Sequence, residues 1–97
     1  MSPTEKFREA KFQVHIPRRV EKELLELPSD VHASVRKTLE ELRADSRPPG
    51  CKKLKGRLQC WRVRVGAYRI LYDIDTHQHA LIILKVGPRK DVYRSFH

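Results

Sequence analysis

The chain holds 97 residues, and 21 Lys and Arg against 12 Asp and Glu give it a formal net charge of +9. A length of this order fits one domain with a small core, because so short a chain buries only roughly 60% of the surface it exposes when unfolded. No apolar run approaches the roughly 20 residues of a membrane-spanning helix, so no membrane partner is expected.

Met1-Ser2-Pro3-Thr4-Glu5-Lys6 has no apolar stretch of the signal-peptide kind, which points to a cytoplasmic address. Residues 1–10 are polar and without period, and are expected to form a flexible extension ahead of a single domain over residues 11–97. Phe12, Val14 and Ile16 then alternate with polar neighbours, as in a strand with one buried face. Pro17 suits the first position of a helix carrying Val20, Leu24 and Leu27 at helical spacing. Pro28 ends that helix, and Ser29-Asp30 offers a cap for the next. There Val31, Val35, Leu39 and Leu42 make one apolar stripe, while Arg36, Lys37, Glu40 and Glu41 face water.

Arg47-Pro48-Pro49-Gly50 breaks the pattern, and the period changes from helical to alternating. Trp61, Val63 and Val65 form one apolar set; Tyr68, Ile70, Tyr72 and Ile74 form another. Asp75-Thr76-His77-Gln78 reads as a turn, and Ala80 to Val86 as a central strand covered on both faces and stopped by Gly87-Pro88. The predicted order is β-α-α-β-β-β. This is an α+β domain in which an N-terminal strand and a helical hairpin precede a three- to four-stranded antiparallel sheet.

Charge is distributed unevenly along this frame. Residues 17–45 carry six basic and seven acidic side chains, whereas residues 46–72 carry eight basic and no acidic ones. A surface built for solubility mixes both signs; a one-sided excess favours a polyanion, here a nucleic acid. Gly66-Ala67 between two alternating runs suits a two-residue type II′ turn. That register sets Val65 against Tyr68, Val63 against Ile70 and Trp61 against Tyr72 on one face, with Arg64 against Arg69 on the other. Opposed guanidinium groups repel, and a phosphate between them relieves the repulsion. Lys52, Lys53, Lys55 and Arg57 extend the basic surface and are candidates for docking a nucleic-acid backbone, as is Lys90. Cys51 and Cys60 are too few for a disulfide framework and read as free thiols. The five histidines lie at no ligand spacing with them, so neither a metal nor another cofactor is expected.

Taken in order, Lys53-Leu54-Lys55-Gly56, Trp61-Arg62-Val63-Arg64-Val65-Gly66-Ala67-Tyr68-Arg69-Ile70-Leu71-Tyr72 and Val86-Gly87-Pro88-Arg89-Lys90-Asp91-Val92-Tyr93 resemble the RelE/ParE toxin superfamily. The resemblance spans about residues 11–94. It implies a toxin neutralised by a cognate antitoxin that wraps around it. RelE-type members enter the ribosomal A site and cleave mRNA without metal, the RNA's own 2′-hydroxyl attacking the adjacent phosphate. ParE-type members share the fold, poison DNA gyrase and generally lack the cleavage cluster. Arg62, Arg64, Arg69, Arg89 and Tyr93 match the positions of the RelE-type catalytic set, which favours the ribosome and mRNA as targets. Gyrase inhibition and a non-catalytic RNA-binding module are the alternatives.

Such a reaction needs a base for the 2′-hydroxyl, charge stabilisation at phosphorus and a proton for the leaving 5′-oxygen. Arg69 and Arg89 suit a phosphate clamp, with Arg62 and Arg64 supplying the surrounding field. Tyr93 suits a base or a stacking group. The better-known family pattern has lysines at the positions of Arg62 and Arg64, and many relatives have histidine where this chain has Pro88. Arginine is a poor proton shuttle, which leaves His97 as a candidate for proton transfer.

Overall fold

The computed structural model describes residues 11–54 and 60–88; the expected N-terminal extension lies outside them. Its elements are β1 (Gln13–His15), α1 (Arg18–Leu25), α2 (Ser29–Ala44), β2 (Lys52–Leu54), β3 (Cys60–Val65), β4 (Tyr68–Asp75) and β5 (Ala80–Pro88). The strands form one five-stranded sheet in the order β1-β5-β4-β3-β2. The expected α+β class and helical hairpin are present, with two differences in the sheet. Lys52–Leu54 is an additional short strand antiparallel to β3, and β1 runs parallel to β5, so the sheet is mixed. Short connections force antiparallel pairing only between consecutive strands. Residues 13–15 pair with residues 80–82 across nearly the whole chain, and no hairpin dictates their direction.

Both helices cover one face of the sheet. Val20 and Leu24 of α1 and Val35, Leu39 and Leu42 of α2 pack with Val63, Ile70, Tyr72, Leu81, Ile83 and Val86. The helix starts differ by a residue or two from expectation. Pro17 and Pro28 take the N-cap positions themselves, and neither cap uses a side-chain hydrogen bond. Ser29 and Asp30 fall inside α2 because the extended backbone of Pro28 already sets the entry angle. Tyr72 is fully buried, and its hydroxyl donates to the Ser46 carbonyl at 2.7 Å. Burial raises its pKa well above the ordinary phenol value, and neighbouring Cys51 adds to the shift.

Strand β5 does not stop at Gly87-Pro88; it continues to Pro88, with Gly87 opposite Arg69 and Pro88 opposite Tyr68. A register shift lies between Leu71, which faces Lys85, and Tyr72, which faces Ile83, leaving Leu84 as the extra residue. The bulge lets Ile83 and Val86, three residues apart, both enter the helix-side core. Beyond Ile82, β5 has lost β1 as a neighbour, and α1 takes its place. Arg19 Nη2 donates to the Leu84 carbonyl at 2.8 Å, and the Val86 N–H donates to Glu23 Oε1 at 3.1 Å. Lys85 Nζ pairs with the other Glu23 carboxylate oxygen. Two side chains one helical turn apart thus satisfy the exposed strand edge.

Both cysteines are free. Cys51 lies beside the Tyr72 hydroxyl, whereas Cys60 packs with Leu71, Leu54 and Leu84 in a separate cluster. Burial, reinforced by the Asp73 carboxylate, pushes the Cys60 thiol up to about 11. Alkylation of the native protein at pH 8 is therefore expected to modify Cys51 well before Cys60, with Cys60 reacting only on unfolding; peptide mapping by mass spectrometry checks the order. At the β3–β4 turn, Gly66 has φ of +60°, and Ala67 has no positive φ, as type II′ requires. Gly66→Ala should destabilise the fold by about 1–3 kcal/mol, read as a lowered urea midpoint with an unchanged slope.

Candidate functional site

The β3–β4 register places Arg64 opposite Arg69, Arg62 opposite Leu71 and Val63 opposite Ile70. Val63 and Ile70 belong to the helix-side core, so the alternating set Arg62, Arg64, Arg69 and Leu71 occupies the opposite face. Strand β2 adds to this face, because Lys52 stands opposite Arg62 and Leu54 opposite Cys60. Four cations of β2, β3 and β4 therefore share one side of the sheet, beside an apolar strip of Leu54, Cys60, Leu71 and Leu84. Lys53 stands opposite Trp61, whose ring packs on the helix-side core, and so points away from this group.

Exposure grades across the arginines. Arg64 is exposed, Arg62 is half-buried, and Arg69 is only 5% exposed. Arg69 Nη1 donates to the Tyr68 carbonyl at 3.2 Å, while its buried Nε has no hydrogen-bond partner among the described residues. The ion pairs among the described residues are Arg43–Glu40 and Lys85–Glu23, and neither Arg64 nor Arg69 takes part in one. A buried guanidinium without a counter-charge is costly. Gly87, directly across from Arg69 on the other flank, contributes no side chain to crowd the approach. This arrangement can accept an anion, and a phosphate matches the donor geometry of paired guanidinium groups.

Lys55, Arg57, Arg89, Lys90, Tyr93 and His97 lie outside the described residues. Two features of the structure escape sequence reasoning. Arg47, read only as part of a break, places its guanidinium over the Trp61 ring at 5.7 Å from the centroid. Arg19 and Glu23, which look like ordinary exposed helix charges, hold the strand that leads toward Arg89. Their one signal is the four-residue spacing of opposite charges on α1. One groove among the described residues lies away from Arg62, Arg64 and Arg69. It encloses about 830 Å³ between β1 and the helices, with Val14, Ile16, Leu24, Leu25 and Leu39 among its lining residues.

The family model for the ParE toxin of type II toxin–antitoxin systems matches residues 14–93. The chain belongs to the RelE/ParE toxin superfamily. A RelE1 toxin of Methanocaldococcus jannaschii is 32% identical to it over 88 residues, covering 88% of this chain and 98% of that relative. Among solved structures, the archaeal RelE–RelB complex of Pyrococcus horikoshii is similar at a TM-score of 0.73 and 28% identity, covering 81% of this toxin and 96% of that chain. The RelBE2 toxin–antitoxin complex of Mycobacterium tuberculosis is similar at a TM-score of 0.71 and 27% identity, covering 81% and 99%.

The opposed pair in this toxin is testable without RNA. Arg64→Thr removes one of two like charges and should raise stability by about 0.2–1 kcal/mol in chloride buffer. Phosphate at matched ionic strength should stabilise the wild type more than the variant. Thermal unfolding in the two salts measures both effects.

Proposed function

We propose that this toxin is a ribosome-dependent endoribonuclease that cuts mRNA in the A site, inhibits translation in the cytoplasm, and is held in check by a cognate antitoxin. The observation that carries the reading is the Arg64–Arg69 pair, in which the buried Arg69 Nε has no hydrogen-bond partner among the described residues; Arg62 lies in the adjoining row. Arginines facing one another without a carboxylate suit an oxyanion that gains charge during the reaction.

In this reading the 2′-hydroxyl attacks the adjacent phosphate, and no metal takes part. Arg69 and Arg89 clamp the non-bridging oxygens as charge builds at phosphorus. Arg62 and Arg64 supply the surrounding field, which favours the phenolate of Tyr93 as base. Lys53, Lys55, Arg57 and Lys90 dock the RNA or ribosome away from the reacting bonds, and His97 remains a candidate for proton exchange. The ribosome positions the RNA, so modest chemistry by the toxin suffices. The antitoxin half of the reading rests on the similar complexes and on the groove beside β1, where Leu25 is 80% exposed. An apolar residue so exposed suits a surface that a partner covers.

The match to the ParE family model favours a second reading, gyrase inhibition by binding. Parallel assays separate the two. On programmed ribosomes the wild type should cleave A-site mRNA, and Arg89→Ala and Tyr93→Phe should each lower the rate by about 10²-fold or more. Intact mRNA together with inhibited supercoiling would replace the endonuclease with the gyrase reading. Tight RNA binding with neither effect would leave a docking module.

A further inference from the structure

We propose that Lys52 is the proton donor to the leaving 5′-oxygen; this rests on the endonuclease reading above. The described cations of β3 and β4 on this face are all arginines, a residue type that makes a poor proton shuttle. The reaction nevertheless ends with an alkoxide that must be protonated. The register supplies a donor in the row next to the Arg64–Arg69 pair. Lys52 stands directly opposite Arg62 on β2, on the same face, and is diagonal to Arg64. Diagonal neighbours lie roughly 7–8 Å apart, within the reach of an ammonium on a four-carbon stem toward a phosphate held by those arginines.

Among the described residues, the other groups of this face are excluded by their surroundings. Lys85, opposite Leu71 on β5, is held by Glu23. Cys60, in the neighbouring row, is 4% exposed and packed under Leu54 and Leu71. The Asp73 carboxylate stands opposite Cys60 and accepts the Ile74 N–H at 2.8 Å. Lys52 is exposed and belongs to no ion pair among the described residues. As the 2′-oxygen bonds to phosphorus, its proton passes to the Tyr93 phenolate. As the bond from phosphorus to the 5′-oxygen breaks, the Lys52 ammonium gives that oxygen a proton. The products are a 2′,3′-cyclic phosphate and a 5′-hydroxyl. Lys52, left as a neutral amine, regains a proton from water, and Tyr93 returns its own to water.

The test compares two mRNAs on programmed ribosomes, one ordinary and one with sulfur in place of the bridging 5′-oxygen at the A-site cleavage position. A thiolate leaves without protonation, so the sulfur substrate needs no acid. Lys52→Ala and Lys52→Arg should each slow single-turnover cleavage of the ordinary mRNA by about 10²-fold or more. Both should cut the sulfur substrate within a few-fold of wild type. Lys52→Arg keeps the positive charge, so near-wild-type cleavage by that variant would reduce Lys52 to an electrostatic contact and overturn the proposal. Equal losses on both substrates would overturn it as well. In both cases wild-type cleavage leaves the endonuclease reading intact. A wild type that cuts neither mRNA sinks that reading, and the donor role falls with it.

Discussion

The β3–β4 register is the constraint on which the rest of the arrangement depends. A strand's side chains alternate between faces, so a slip of one residue would carry Arg62 and Arg64 into the helix-side core and turn Val63 and Trp61 outward. The turn at Gly66-Ala67 and the apolar set Val63, Ile70 and Tyr72 agree on a single pairing. The cations are gathered as the complement of the core. The same hydrophobic choice that buries Ile70 forces Arg69 to the other side, against Arg64, whatever the electrostatic cost. An anion held between the two guanidinium groups would offset that cost.

The helices do more than cover one face. Strand β1 pairs only with the first residues of β5, and further along the strand edge is completed by Arg19 and Glu23 from α1. With the bulge at Leu84, these contacts set the path of β5 as it delivers Gly87 beside Arg69. The arginine face therefore depends on side chains on the opposite side of the sheet. Helix α1 joins the two, for its Val20 and Leu24 are also part of the core.

Much of this was legible in the residues. Binary patterning revealed the helical hairpin and the three long strands, and Gly66 located the turn that pairs β3 with β4. Three things were hidden, each for a physical reason. The direction of β1 depends on a partner more than sixty residues away, and a three-residue strand carries no sign of its orientation. Strand β2 is equally short, and its lysines read as parts of one basic docking surface until the pairing with β3 separates Lys52 from Lys53. The bulge is masked because Ala80 to Val86 is almost wholly apolar, so alternation cannot report which residues face the core. Of the candidate site, the Arg64–Arg69 opposition followed from the turn. The burial of Arg69 and the ring contact of Arg47 did not, because both depend on tertiary neighbours.

The parallel pairing of β1 with β5 has a consequence for how the molecule comes into being. The first described strand cannot find its partner until residues 80–82 exist, and Ile83 and Val86, which close the core, come later still. A chain emerging from synthesis can form its helical hairpin early, since those contacts are local, but it has little to pack the hairpin against. The sheet is completed only after residues 80–86 have been made, with its longest-range contact among the last to form. The arginine face thus gains its flanking strand only once β5 is in place, and synthesis interrupted before residue 80 leaves β1 and β4 without the strand that joins them.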